Sequence, residues 1–297
     1  MALADLIDKV HRDQELSALI DMHVAKEDRN DTSRAPGWHP SEFCGSCARR
    51  HVLARLVGQR SEAFEPSLLK IFAMGHAIHY WYQNKYFGPM GILWGKWQCL
   101  RCDAIHWGLM PTDPECFRCK QSSRWDYREV PVRASLPDGF EAPIVGHSDG
   151  IIFLNRKWWL LEIKSINDGG FTWQKQAKES HVAQARIYGE LIQQGHVDFA
   201  CDNEYVTYRK PNIPRLSGIV LLYVNKNNSR ERIYNIDLDP EASRRELKRP
   251  YLIETAFRDK ELPKREEACV SLNKKPAKNC PVVSYCFGGL SWDQLTR

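Results

Sequence analysis

The chain has 297 residues, 43% of them apolar, enough for one large domain or two small ones around a sizeable core. No run approaches the ~18–20 uninterrupted apolar residues of a membrane span, and the start MALADLIDKVHRDQ carries acids where an export signal is basic and then apolar; neither a membrane partner nor secretion is expected. A formal net charge of +5 permits a nucleic-acid partner without demanding one.

In chain order, Leu3, Leu6, Ile7, Val10, Leu16, Leu19, Ile20 and Val24 recur at helical spacing and predict an amphipathic helix over 3–27. The polar run that ends in Pro36-Gly37 reads as a linker, so residues 1–37 form an N-terminal helix and linker ahead of the main domain, 38–297. A second helix follows Pro40-Ser41 and carries Ala48 to Leu56; a third, rich in aromatics and interrupted by Gly75, spans about Ser67 to Phe87. Residues 97–123 show little helical or strand periodicity and read as a cysteine-rich insert. Strands are expected over Glu129–Ala134, Ile144–Leu154 and Trp158–Ile166, then a long helix near Thr172–Gln194. Strands near Tyr205–Tyr208, Gly218–Asn225 and Arg232–Asp237, a helix over Pro240–Leu262 and a cysteine-rich tail, 265–297, complete the chain.

The segment GHSDGIIFLNRKWWLLEIKS carries the sharpest signal. Two β-rich runs flank Asn155-Arg156, a plausible tight turn. If that pair centres the turn, Asp149 faces Glu162 across the ladder, with Cβ atoms roughly 4.5–5.5 Å apart. Two bare carboxylates there repel unless a cation lies between them or one stays protonated. Lys164 points to the same face as Glu162, and Ile163 to the opposite layer. Hard carboxylate oxygens suit Mg²⁺ or Mn²⁺, and a lysine beside them can orient a water and offset charge developing on a phosphate.

Four motifs stand in order: Gly75-x-x-x-His79, Gly146-His-Ser-Asp149, Glu162-Ile-Lys164 and Gln184-Ala-Arg-Ile-Tyr188. Together they resemble the RecB-like branch of the PD-(D/E)XK nucleases, which includes phage recombination exonucleases and CRISPR-adaptation nucleases; Pro40-Ser41 and Cys47-Ala-Arg-Arg50 extend the likeness. The resemblance implies an α/β fold with a restriction-endonuclease-like core, a central mixed β-sheet flanked by helices. It implies His79 as a third metal ligand beside Asp149 and Glu162, with the Ile163 carbonyl as a further one; His76, one turn earlier, is the alternative histidine. An imidazole ligand points toward manganese. Gln184 and Tyr188, on one helix face with His181, are implied to line the cleft, touching the scissile strand or bracing Lys164, while Lys175, Lys178 and Arg186 either meet phosphates or form a solvated basic face.

The ten cysteines are clustered in a chain expected in the reducing cytoplasm, which points to metal ligation rather than disulfides; Cys201 alone reads as a small buried residue. Cys99-x-x-Cys102 and Cys116-x-x-Cys119 have the spacing of two zinc knuckles, an inserted zinc ribbon in which Zn²⁺ replaces a core. Arg101, Arg118, Lys120, Arg124 and Trp125 around it suit contact with DNA or a protein, or a purely bracing role. The other set joins chain ends: Cys44 and Cys47 early, Cys269, Cys280 and Cys286 late. Iron–sulfur members of the resembled family hold a [4Fe–4S] cluster with one early and three late cysteines, which implies Cys47, Cys269, Cys280 and Cys286, with Cys44 as substitute; the ten residues between Cys269 and Cys280 depart from the family spacing, and a second zinc or free thiols are the alternatives.

The expectation is a cytoplasmic, Mg²⁺- or Mn²⁺-dependent deoxyribonuclease acting on linear or single-stranded DNA ends in recombination, repair or replication. The competing readings are a non-cutting DNA-binding assembly module and a CRISPR-adaptation nuclease with a partner protein. No GxxxxGK[ST] loop is present, so ATP-driven unwinding within the chain is not expected.

Overall fold

A computed structural model describes residues 15–27, 35–58, 65–113, 115–122, 124–137, 140–199, 212–269, 271–273 and 275–296. The strand expected near Tyr205–Tyr208, the lone Cys201 and the first fourteen positions lie outside the described residues.

The fold is α/β, a mixed sheet between helices. Nine strands are described: β1 (Leu93–Cys99), β2 (Ile105–Leu109), β3 (Trp125–Arg128), β4 (Val130–Ala134), β5 (Ile144–Ser148), β6 (Gly150–Leu154), β7 (Lys157–Ile166), β8 (Leu216–Asn225) and β9 (Glu231–Ile236). Seven of them form one sheet in the order β2-β1-β6-β7-β8-β9, with β3 also on β1, and β4 and β5 form a separate pair. Only β7 and β8 run parallel. β8 is the run LSGIVLLYVN, buried at nearly every position as a strand covered on both faces must be; β9 alternates half-buried and exposed, as an edge with one wet face does.

Helices cover both faces. On one side α4 (Pro66–Trp81) and a π-helical turn (Tyr82–Phe87) bring Ile78, Tyr82 and Phe87 onto Leu161, Ile163 and Leu222. On the other, α6 (Glu179–Gln193) lays Ala185, Ile187 and Leu191 on Ile151, Leu160 and Ile219. A shorter α5 (Asp168–Trp173), capped by the Asn167 side chain on Gly170 N, precedes α6. The single helix expected over Thr172–Gln194 is thus two. Arg232 Nη1 on β9 donates to the carbonyls of Phe171 and Gln174, and Tyr234 Oη also donates to Gln174, so oxygens a continuous helix would use are taken from outside.

The chain ends meet. Helix α3 (Ala48–Leu56) packs Val52 against Ile253 and Ala256 of α7 (Pro240–Asp259), and Leu53 against Val282 and Cys286 of the tail. Arg49 donates to the Pro263 carbonyl at 2.8 Å, stitching the two ends, and Arg265 donates to that of Cys286 at 2.8 Å, bracing the tail on itself. The helix α1, described over 15–27, differs from a core-facing amphipath: Leu16, Leu19, Ile20 and Met22 are exposed, and its tie to α4 is the Asp21–Lys70 ion pair. No described helix is long and apolar enough to cross a membrane.

One expected strand is broken, its neighbour parts from the strand before it, and these breaks matter most. The run Ile144–Leu154 divides at Asp149: β5 pairs with β4, whereas β6 pairs with β7 and β1. Its neighbour divides at Glu129: β3 stays on β1, and β4 leaves with β5. Val130 faces Ser148 in the β4–β5 ladder, so Glu129 and Asp149 sit one step further on, side by side where two adjacent strands change sheets.

Candidate metal centre

Asn155 and Arg156 both have positive φ, 51° and 60°, the two-residue turn that matches strand twist. It pairs Leu154 with Lys157 and Gly150 with Leu161, so the next step sets Asp149 opposite Glu162, the register the turn arithmetic predicts. The kink at Asp149 is permitted by Gly150, whose φ of 154° is a glycine conformation and whose Cβ would meet Leu93 at 2.6 Å.

The structure brings the expected residues together around this hairpin. Asp149, 5% exposed, divides its two oxygens: Oδ1 pairs with His79 Nδ1 at 2.9 Å, and Oδ2 accepts the Ile163 N–H at 2.5 Å. Ile163 thus turns its N–H away from β8; a strand residue's carbonyl shares that edge, so the Ile163 oxygen faces the same gap. The π-helical turn supplies Gln83, whose side-chain amide donates to the Asp149 carbonyl at 2.9 Å. Lys164 Nζ bridges Glu162 Oε1 at 2.8 Å and Gln184 Oε1 at 3.0 Å. The other oxygen of Glu162, Oε2, is buried without a partner among the described residues. A bare carboxylate oxygen in a dry site is costly, and a cation ligated there removes the cost.

The charges follow. Burial pushes the Glu162 carboxyl up to about 7, Lys164 pulling down and Asp149 pushing further up. For Asp149 burial also opposes charge, yet His79, Lys164 and the Ile163 N–H hold it below the usual carboxylate range. His79 is raised to about 9: burial disfavours its charge, but Asp149 outweighs it.

Gln184 and Tyr188 share a helix face as the spacing predicts, but that face is not an open polar stripe. Both are buried, and Gln184 Oε1 accepts from Lys164 Nζ at 3.0 Å. Gly146 belongs to this packing, because a Cβ there would meet Tyr188 Oη at 2.7 Å. His181 turns instead to Tyr223 Oη at 2.8 Å, and Arg186 caps the Asp237 carbonyl at 3.2 Å. His76 and His79 both line an open cleft of about 430 Å³ with Lys96, Arg128, Glu129 and His147.

Sequence reasoning missed Glu129. Its carboxylate and the donor atoms of His79 and Asp149 all lie within 4.8 Å of one another. Burial first, and then Asp149, push its carboxyl up to about 8. Nothing in its neighbourhood along the chain distinguishes it from any glutamate at a strand start; only the sheet crossing brings it to Asp149.

The donors of Cys99, Cys102, Cys116 and Cys119 likewise lie within 4.8 Å of one another, a set able to hold a metal ion such as zinc. Tetrahedral Zn–S bonds of about 2.3 Å place sulfurs about 3.8 Å apart; the Cys102 and Cys116 Sγ atoms are 3.7 Å apart. The two knuckles repeat one geometry: Arg101 N donates to Cys99 Sγ and Arg118 N to Cys116 Sγ, each at 3.4 Å, and Asp103 and Lys120 close the turns with positive φ. Two corrections concern this region. It is not aperiodic, since β1 and β2 bury Trp97 and Trp107 and β1 runs on into the main sheet. Arg101 and Arg118 are engaged internally, on Gln121 Oε1 at 2.9 Å and the Cys102 carbonyl at 3.1 Å.

Cys47, Cys269, Cys280 and Cys286 line one cavity of about 260 Å³ between α3 and the tail. Cys44 does not; it is buried in the core under β4 and β5. Burial, Glu266 and the neighbouring Cys280 and Cys286 push the Cys269 thiol up.

No family model and no curated protein match the chain. Among solved structures, the crystal structure of SSO0001 superposes with a TM-score of 0.43 at 14% identity, over 93% of this chain and 98% of that one.

Proposed function

We propose that the chain is a RecB-like metal-dependent deoxyribonuclease of the PD-(D/E)XK type, hydrolysing phosphodiester bonds at DNA ends. The observation that carries the reading is the pair of opposed buried carboxylates, Asp149 and Glu162, with Glu162 Oε2 unpartnered beside Lys164. Asp149, Glu162 and His79 are the side chains that would hold Mg²⁺ or Mn²⁺, with the Ile163 carbonyl at the same edge. A bound divalent ion polarises the phosphodiester and acidifies the attacking water. Lys164, raised above the usual lysine range by Glu162 and Asp149 against the pull of burial, stays charged and presents a fixed donor to the water or the departing oxygen. Gln184 acts by positioning, its Oε1 fixing Lys164 from behind, while Tyr188 packs buried against Gly146.

In this reading Zn²⁺ sits at Cys99, Cys102, Cys116 and Cys119, and a [4Fe–4S] cluster at Cys47, Cys269, Cys280 and Cys286 serves as a structural clasp. Purified protein with Mn²⁺ is expected to degrade linear DNA, and Glu162→Ala to abolish this while retaining DNA affinity. Intact DNA under every divalent metal, with binding retained, would move the assignment to a non-cutting assembly module.

A further inference from the structure

We infer that the strands carrying the cysteine knuckles supply a strand-binding site: Lys96 of β1 and Arg128 of β3 grip a backbone phosphate of a single polynucleotide strand in the cleft beside the metal centre. The site serves the proposed nuclease centre and rests on that reading only for what the strand is held for.

Lys96 and Arg128 are directly opposed in the β1–β3 ladder. Like charges at opposed positions of a strand pair repel, and an anion between them turns the repulsion into attraction. The next pair along, Trp97 and Tyr127, is buried with its rings 4.9 Å apart. Strand alternation therefore sends Lys96 and Arg128 to the other face, and both line the open cleft.

The guanidinium is held ready. Arg128 Nε donates to Gln98 Oε1 at 2.8 Å and Nη2 pairs with Asp126 at 3.4 Å, while half of the side chain stays exposed. Gln98 in turn donates to Asp103 Oδ1 at 2.8 Å, in the turn of the first knuckle. A guanidinium fixed this way gives up little freedom on meeting a phosphate as a fork. The knuckle also locks the register: Cys99, of the four-cysteine set, ends β1 opposite Trp125, three residues beyond Lys96. Arg101 and Arg118, closer to the sulfurs, are engaged inside the insert, so the basic contact lies at the root of the insert and not at its tip.

The rest of the cleft suits a nucleotide chain. Arg128 ends β3 one residue before Glu129, so the grip stands at the rim of the metal centre. Helix α4 adds His76 and Tyr80, the latter 44% exposed and able to stack on a base. At about 430 Å³ the cleft is on the scale of a small-ligand site, with room for nucleotides of one strand and not for a duplex.

The test is fluorescence anisotropy of a labelled single-stranded oligodeoxynucleotide with the full chain, without added divalent metal, over a salt series, with zinc content measured first. Lys96→Ala and Arg128→Ala should each weaken binding roughly tenfold and lower the slope of log affinity against log salt by about 0.7, one counterion of a single strand. Lys96→Arg should keep both. Lys120→Asn removes a charge from the second knuckle turn at a positive φ that asparagine tolerates, and should bind as wild type does. Unchanged affinity and slope in Lys96→Ala and Arg128→Ala overturns the inference, as does an equal loss in Lys120→Asn. So does a blunt duplex bound as tightly as the single strand. Weaker binding of inorganic phosphate in the two alanine variants, with oligonucleotide binding intact, would mean a free-anion site and overturns it too. Cleavage with Mn²⁺ is scored separately, and the variants should raise KM with kcat little changed. Lys96-dependent strand binding without cleavage under any divalent metal leaves this site standing and removes the nuclease reading; cleavage with KM untouched by the variants does the reverse.

Discussion

Glu162 governs how the centre behaves without metal. One oxygen holds Lys164 and the other has no partner among the described residues, and burial makes the folded chain keep a proton there up to about pH 7, well above the ~4.3 of an exposed glutamate. Glu129 and His79, raised to about 8 and about 9, also bind their protons more tightly folded than unfolded. All three therefore contribute stability at acid pH that is lost as pH climbs through these values, the reverse of a salt-bridged carboxylate. We expect the metal-free protein to melt progressively lower from about pH 5 to about pH 9, by the order of 1–3 kcal/mol, and Glu162→Gln to flatten the part of that slope below about pH 7. Mn²⁺ needs the same groups deprotonated, so its affinity and its restoring effect on the melting temperature should grow over the same interval, with proton release on binding. Thermal melts across pH, with and without Mn²⁺, check this. A flat profile for the metal-free wild type would mean that the carboxylates are solvated.

At the scale of elements the hairpin does the positioning, and it was readable in the sequence because its determinants are local. A polar pair between two β-rich runs fixes the turn, and the turn fixes which residues oppose. Its weak point is Arg156, a non-glycine residue at φ 60°. Arg156→Gly should create an Asn-Gly turn and raise stability by about 0.5–1 kcal/mol in denaturant titration, without altering metal binding. Lower stability would show that the arginine side chain contributes what the backbone loses. Other features lay beyond local reading. The break between α5 and α6 has no proline and is imposed by Arg232, more than fifty residues later. The sheet change at Glu129 depends on β4 pairing with β5 across an intervening loop, which no short pattern encodes. Burial of Gln184 and Tyr188 was likewise hidden, since amide and phenol look polar until the lysine and Gly146 they pack against are in place.

For the whole molecule the cysteines divide by what they fasten. The knuckle set closes the far end of β1, which pairs through Leu93 and Trp94 with β6 next to the metal centre. The cavity set lies between α3 and the tail. Cys116→Ser should therefore cost the protein its zinc and local hydrogen-exchange protection over β1 and β2. On the proposed assignment, Cys280→Ser should cost iron and brown colour, and expose the tail to protease while leaving zinc in place. Metal analysis with limited proteolysis reads both. Two zincs and no iron in anaerobically purified protein would reassign the cavity. The four-cysteine spacing was sufficient to find the knuckles, whereas the second set offered five cysteines, of which Cys44 packs in the core away from the cavity that the other four line.

That cavity also has a consequence for synthesis. Cys286 is made long after Cys47, and Leu53 of α3 meets Val282 and Leu295 only when the tail segment has left the ribosome. That part of the hydrophobic seat of α3 stays open until then, and closing so distant a pair costs more loop entropy than closing a hairpin. The β7 hairpin, complete halfway along the chain, can assemble long before. The α3–tail contact thus follows the hairpin, so a nascent chain stalled before residue 280 should carry a formed hairpin and an unsealed α3.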